Sequence, residues 1–208
     1  HLEFLKHHDT EDKSKNFVLY EDNGARTYVA QSGLIGNGLP NHKTIFTGKA
    51  SSYKVAEIQK RGEVRLNWSV GGGVAVEKIL TFHKDSYLID VEYAITNNSA
   101  SRITPHAYYQ LLRDGKAPQG DPKFISTYTG PAVYTDKEKF QKIDFSDIDK
   151  GKEKFAKQAN DGWIAILQHY FFSAWLPENN LPREFYTKKI GETYAAGVIV
   201  PVPAVEPG

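Results

Sequence analysis

The sequence predicts an all-β fold, an antiparallel two-sheet β-sandwich with little helix. The first observation behind this prediction is a regular alternation of apolar and polar residues along three consecutive segments. The second is a set of Gly, Pro, Asn and Ser turn signals that separate short apolar runs through most of the 208 residues. Together they are typical of antiparallel sheets that pack face to face.

The alternating segments are residues 63–70, 74–82 and 87–96. Successive side chains of a strand point to opposite faces, so each segment reads as a half-buried strand. The run Gly71-Gly72-Gly73 tolerates the positive φ of a tight turn, and Asn97-Asn98-Ser99 ends the last strand. We therefore predict a three-stranded antiparallel meander.

Shorter runs predict the other strands. They are Phe17–Tyr20, Tyr28–Ser32, Tyr53–Ile58, His106–Leu112, Trp163–Gln168, Ser173–Leu176 and Tyr194–Val202. Asp114–Pro122 is rich in Gly, Pro and charge and predicts a long loop between sheets, whereas Asp136–Lys142 has the composition of one charged helical turn. We expect one domain over residues 1–208, with both ends cut from a longer protein.

Composition narrows the class of protein. The charged share is 25%, the aromatic share 12% and the net charge +1, which favours a folded domain over a disordered one or a nucleic-acid binder. Without Cys there is no disulfide and no thiolate metal site. The most apolar stretch, residues 163–177, is shorter than the ~20 residues of a membrane helix, and no signal peptide is visible.

Histidines are the first candidates for chemistry. His7, His8 and Asp9 are potential metal ligands, but strand neighbours point apart, and we expect a solvated loop there. His106 and His169 could act as acid or base, yet neither has an acidic residue two positions away on its own strand face, so structural roles are expected. The Gly71–Gly73 run lacks the Gly-Lys-Ser/Thr ending of a phosphate loop. We predict no catalytic residue, no cofactor and no metal.

A weak basic cluster runs from Lys137 to Lys157 with acidic residues interleaved. Such a run is usually a solvated face, and it is also suited to docking a partner protein. The residues named for partner contact are Lys137, Lys139, Lys142 and Lys152.

The most distinctive string is Gly162–Pro177, with two Trp, one Tyr and two Phe. By pattern it is two core strands whose aromatics fill the space between sheets. As a string it closely resembles a segment in the large periplasmic domain of YidC-type bacterial membrane protein insertases. Other stretches resemble that family in the same order: Tyr28–Leu34, Gly130–Tyr134, Phe140–Phe145, Tyr186-Thr187 and Ala195-Ala196.

The resemblance implies a β-supersandwich related in shape to galactose-mutarotase-like folds. It implies a domain on the periplasmic face of the inner membrane, attached through membrane helices that this chain does not contain. The implied role is accessory, with contacts to Sec translocon components or to nascent membrane proteins.

A carbohydrate-binding or mutarotase-like module is the alternative that the implied fold suggests. Mutarotation needs an acid and a base facing one sugar ring, and sugar binding favours exposed aromatic platforms. Trp68, Trp163 and Trp175 all lie in core-like alternation. We therefore expect the insertase role, and no enzyme activity in this domain.

Overall fold

The computed structural model describes residues 2–9, 11–55, 59–71, 73–118 and 127–208. In these ranges the strands, numbered in chain order, are β1 (Leu2–His8), β2 (Asn16–Asp22), β3 (Thr27–Ile35), β4 (Thr47–Gly48), β5 (Arg61–Ser69), β6 (Val74–His83), β7 (Ile89–Asn97), β8 (His106–Asp114), β9 (Gly130–Thr135), β10 (Lys139–Lys142), β11 (Gln158–Ala159), β12 (Trp163–Leu167), β13 (Phe172–Trp175), β14 (Arg183–Ile190) and β15 (Thr193–Pro201). One helix, α1 (Phe145–Lys150), follows β10. The strands pair antiparallel, which confirms the predicted fold class.

The chain divides into two compact units. The first comprises residues 1–33 and 106–201 and is a sandwich. Its larger sheet has the order β1-β2-β3-β8-β15-β14-β11, and its smaller sheet has the order β10-β9-β12-β13. The sheets face each other where β12 lies against β15 and β13 against β8.

The alternating direction of the side chains along β12 determines which of them are buried between the two sheets. Ile164 and Ile166 are fully buried, and they pack with Val133 of β9 and with Phe185 and Val198 of the larger sheet. Burying an aliphatic or Phe side chain of this size stabilises a fold by about 2 kcal/mol. The interior of the first unit is therefore a continuous apolar layer.

The Tyr28–Leu34 string, one of the stretches that carry the family resemblance, has two structural roles. The buried Tyr28 hydroxyl donates to the Ile166 carbonyl of the opposite sheet at 3.4 Å, and burial raises the pKa of Tyr28. Gln31 accepts from Gln110 Nε2 at 2.6 Å, and Gln110 Oε1 accepts from the Tyr186 hydroxyl at 2.7 Å. Polar residues thus tie three strands of the larger sheet together.

The prediction that the aromatics of Gly162–Pro177 fill the core is wrong for three of them. Trp163 is half-buried and stacks on Tyr134, with ring centroids 5.8 Å apart. Tyr170 and Phe172 are 71% and 67% exposed. The two isoleucines occupy the inward parity of β12, so Trp163 faces outward.

The charged stretch Asp136–Lys142 is not a helical turn, contrary to expectation. It is a β-hairpin in which β10 pairs with β9, and the turn places Lys139 at a φ of 58°. The helix is instead α1, which ends at Gly151 with a φ of 61°. Six residues are too few for a visible apolar periodicity, so sequence pattern alone missed this helix.

Asp149 attaches α1 to the larger sheet. Its carboxylate lies 2.8 Å from Lys189 Nζ and accepts a hydrogen bond from the Tyr194 hydroxyl at 3.0 Å. The Lys189 hydrogen bond is the main reason that the pKa of Asp149 is lowered. A carboxyl whose pKa is lower in the folded state stabilises the fold above its unfolded pKa. That stabilisation is lost as the pH falls through the lowered pKa.

We therefore expect Asp149→Asn to melt at a lower temperature than the wild type at about pH 7. The difference in melting temperature between the variant and the wild type should disappear in acid, once Asp149 itself is protonated. Thermal unfolding followed by circular dichroism between about pH 2 and pH 7 measures this. Glu192→Gln, at an exposed turn residue, is the control and should leave the melting temperature unchanged. A difference in melting temperature that persists in acid would contradict a stabilising role for the Asp149 carboxylate.

The second unit comprises residues 34–105 and 202–208 and carries the sheet β4-β5-β6-β7. Its strands β5, β6 and β7 pair consecutively, which confirms the predicted meander. One face of this sheet carries the apolar residues of the alternating pattern. On the other, Arg65 pairs with Glu63 at 2.9 Å and with Glu77 at 2.6 Å. Lys78 interrupts the apolar face, and burial lowers its pKa.

Three sequence predictions lie partly outside the described residues: the Tyr53–Ile58 strand, the Asp114–Pro122 loop and the Gly71–Gly73 turn. The described part of that turn closes the β5–β6 hairpin, where Val70 N donates to Val74 O at 3.2 Å. Over the ranges described, no helix has the length and hydropathy to cross a membrane.

Candidate functional site

A cleft of about 560 Å³ opens in the first unit beside the β9–β10 hairpin. One wall is the hairpin turn, and the other is the segment from α1 to β12. Its lining is mixed in charge and mostly polar: Thr135, Lys137, Glu138, Gln141, Lys154, Phe155, Ala156, Gln158, Ala159, Asn160 and Asp161. We call it the hairpin cleft.

The two walls are joined by a hydrogen bond from backbone to carboxylate and by a close backbone approach. Asp136 N donates to Asp161 Oδ2 at 2.8 Å. Gly162 then turns the chain into β12 at a φ of 88°, and a Cβ there would lie 1.9 Å from the Tyr134 carbonyl oxygen. Only glycine fits this approach, so Gly162 sets the distance between the hairpin and the opposite wall.

Phe155 forms the floor of the hairpin cleft. It is 9% exposed, and Lys157 Nζ lies 3.8 Å from the centroid of its ring. Gln141 Oε1 accepts from Ala156 N at 2.9 Å and fixes the same segment to β10. Glu153 pairs with Lys157 at 3.1 Å, and its pKa is lowered mainly by its own backbone N–H.

The predicted contact lysines are exposed but do not form one site. Lys137 lines the hairpin cleft, 3.4 Å from Glu138. Lys139 and Lys142 lie on opposite faces of β10, and Lys142 Nζ is 4.7 Å from the centroid of the Tyr128 ring. Lys152 follows the end of α1 and donates its N–H to Asp147 O. Lys154 lies within the basic cluster and lines the cleft, but it was not named from sequence.

A second cleft, of about 520 Å³, lies at the β11–β14 edge. Its key residue is Arg183, 3% exposed, which pattern reasoning did not identify. Its guanidinium donates to carbonyl oxygens on both flanking loops: Leu181, Gly162, Pro177, Asn160 and Glu178. Residues 158–160 line both clefts, so Arg183 holds their common wall.

The described histidines show no acid–base pair in either cleft. His106 lines the second cleft, exposed at the start of β8. His169 lies edge-on to Tyr170, and among the described residues its buried Nδ1 has no hydrogen-bond partner. His83 lies 2.6 Å from Asp90 across β6 and β7, a pair that sequence reasoning missed, and it lines neither cleft.

The N-terminal histidines lie in β1 and not in a loop, which corrects the expectation. The segment is a strand because β1 pairs antiparallel with β2, with His8 opposite Asn16, and the His7 ring packs edge-on against Phe171 at 5.5 Å. In the part of the chain that the structure describes, no group of three or more His, Asp or Glu side chains could hold a metal ion.

Together, these features define an antiparallel β-sandwich domain with two surface clefts and no metal cluster among the described residues. Comparison with known proteins assigns the family. Residues 1–208 match the YidC periplasmic domain, and the chain belongs to that family.

Relatives named membrane protein insertase YidC support the assignment. The protein of Aromatoleum aromaticum is 52% identical over 209 residues, and those of Nitrosospira multiformis and Methylobacillus flagellatus are 51% and 47% identical. Each alignment covers 100% of this chain and 37–38% of the relative. The chain therefore spans somewhat over a third of the length of these relatives.

Proposed function

We propose that this chain is the periplasmic accessory domain of a bacterial inner-membrane insertase. It would assist the insertion and folding of membrane proteins by binding their segments or Sec translocon components. The observation that carries the proposal is the match of the whole chain to the YidC periplasmic domain, together with the insertase names of its relatives. Both clefts combine polar and apolar residues, a mixture suited to protein contacts.

The proposed docking face is the basic surface beside the hairpin cleft. Its cations are Lys137 and Lys154, which both line the cleft. Lys139, Lys142 and Lys152 are proposed as flanking partner contacts outside the cleft, because Lys139 and Lys142 lie on opposite faces of β10 and cannot both join that face. Exposed charges of this kind steer an anionic partner and set its orientation more than they set its affinity. A partner with acidic residues next to an extended segment fits a cleft with cations at its rim.

Sugar binding receives less support. A carbohydrate site stacks the sugar ring on an accessible aromatic face. Among the described residues, Phe155 is the only Phe, Tyr or Trp lining the hairpin cleft and is 9% exposed, while the second cleft is lined by none. The lack of an accessible aromatic face in either described lining favours a partner protein over a sugar.

The test is photo-crosslinking in the full-length protein that contains this chain, with a photoreactive amino acid at position 137. We expect cross-links to membrane-protein substrates or to Sec components. The double variant Lys137→Glu/Lys154→Glu should reduce co-purification of that partner roughly tenfold. Lys188→Glu, a charge reversal on β14, is the control and should leave it unchanged. If the double variant co-purifies with the partner as well as the wild type does, this docking face is ruled out.

A further inference from the structure

Strand β13 forms one edge of the smaller sheet in the first unit. Among the described residues, β12 is its only strand partner. An edge strand presents a row of backbone N–H and C=O groups that a further strand can pair with. β13 is short, with four residues and Pro177 soon after it, but it has no charged residue to deter a further strand.

Natural edge strands are protected by charge, proline, bulges or shortness. β13 has the sequence Phe-Ser-Ala-Trp, and the whole stretch Gly162–Pro177 carries no Asp, Glu, Lys or Arg. The other edge strands are either two residues long or charged: β4, β11, β1 with Glu3 and Lys6, β7 with Asp90 and Glu92, and β10 with Lys139 and Lys142.

The outward face of β13 carries one large exposed residue and one small one. Phe172 is 67% exposed, and Ala174 shares its parity; Leu176, the first residue after the strand, is 61% exposed. Because Ala174 is short, an apolar side chain of an added strand can pack beside Phe172 at this position. Phe172 and Leu176 thus offer apolar contact area next to the edge.

The inward face anchors the strand. Ser173 lies close to Tyr20 and Tyr28, and the Trp175 ring lies 5.1 Å from Tyr109. Next to the strand, Phe171 stacks on Phe17 with ring centroids 4.1 Å apart. The edge is therefore held in extended conformation before any partner binds, which lowers the entropic cost of pairing.

We propose that β13 binds an extended, apolar segment of another protein, which adds to the smaller sheet as an outer strand. The backbone ladder selects an extended chain, and the uncharged, apolar edge selects apolar side chains at alternate positions. This inference rests on the proposed function, because the segment would belong to a membrane protein undergoing insertion. Such chains supply unpaired apolar segments that need temporary cover.

A second copy of this chain is a poorer occupant. β13 has four residues, and Pro177 follows soon after, so two copies paired through this edge would share a short ladder. Stable dimers bury ~800 Å² on each partner, far more than such a ladder provides. A short peptide segment needs no interface of that size.

The first test is fluorescence anisotropy with a labelled peptide of alternating threonine and leucine, about seven residues long, and the full-length protein. We expect saturable binding to the unmodified protein. N-methylation of alternate peptide nitrogens removes backbone donors without charge, and it should weaken binding by about tenfold or more. Equal binding of the methylated peptide would overturn strand addition.

Matched protein variants locate the site. Ala174→Lys puts a charge on the edge and should weaken peptide binding by about tenfold or more. Phe140→Lys, at an exposed phenylalanine on the opposite edge strand β10, should not change it. Thermal unfolding checks that both variants fold, and equal weakening by both would overturn the assignment to β13.

A photoreactive phenylalanine analogue at position 172 identifies the natural occupant during membrane-protein synthesis. Cross-links to an inserting membrane protein support the proposal. Cross-links only to a second copy overturn it. If position 137 cross-links and position 172 does not, this inference is overturned and the proposed function stands. If neither position cross-links to a partner, both are overturned.

Discussion

Replacing Gly162 by alanine is expected to lower the free energy of unfolding by about 3 kcal/mol. The φ of 88° is unfavourable for any side chain, and the new Cβ would lie 1.9 Å from the Tyr134 carbonyl oxygen. That oxygen belongs to the backbone of β9, which is paired with β12, so it cannot move away cheaply. Either the β9–β12 pairing opens at this end or residue 162 leaves its conformation.

Denaturant unfolding followed by circular dichroism measures the loss. Gly191→Ala is the matched control, because Gly191 has a φ of 59° but a Cβ added there would meet no described atom within 4 Å. It should cost about 1 kcal/mol, the backbone contribution alone. Equal losses for the two variants would show that the close approach to Tyr134 contributes nothing.

Replacing Arg183 by lysine is expected to cost about 3 kcal/mol of unfolding free energy. The guanidinium donates to five carbonyl oxygens on the two loops that flank β11 and β14. An ammonium has three donors and no planar fork, so it leaves some of these buried oxygens unpaired. Burial lowers the pKa of Arg183, yet arginine keeps its charge where lysine would lose it more readily.

Arg65→Lys is the control for the second prediction. Arg65 is also ion-paired, with Glu63 and Glu77, but its side chain is 43% exposed on β5. Its replacement should cost much less than that of Arg183, because exposed ion pairs are screened by solvent. The same unfolding experiment measures both variants, and a loss at Arg183 no larger than at Arg65 would contradict the carbonyl network.

The two predictions are coupled because Arg183 Nη1 donates to the Gly162 carbonyl at 2.8 Å. Residues that share a partner are rarely additive, so the double variant should cost less than the sum of the single ones. Both residues hold the wall that the two clefts share. Their loss should therefore weaken partner binding at the hairpin cleft before the sandwich itself unfolds.

The candidate site was only partly predictable. A run of lysines from 137 to 157 is visible in the sequence, and two of them, Lys137 and Lys154, line the hairpin cleft. Sequence spacing does not reveal that Lys139 and Lys142 point to opposite faces, because the hairpin turn was mistaken for helix. Arg183 was missed because its partners are backbone carbonyls, which leave no pattern in the sequence.

What the sequence by itself determined was the type of fold and the family. The alternation in β5, β6 and β7 reports local strand geometry, since side chains of period two must face opposite sides. The Gly162–Pro177 string identifies the family without reference to any contact. Both are local signals that do not depend on where distant segments lie.

Only the tertiary structure decided which apolar residues are covered. Ile164 and Phe172 belong to neighbouring strands of similar composition, yet Ile164 is fully buried and Phe172 is 67% exposed. The difference has two causes: Ile164 points inward from β12, which is flanked on both sides, whereas Phe172 points outward from β13, which lies at the edge. Strand order depends on pairings between residues far apart in the chain, so the exposed edge at β13 and the Arg183 network follow from the fold and not from local pattern.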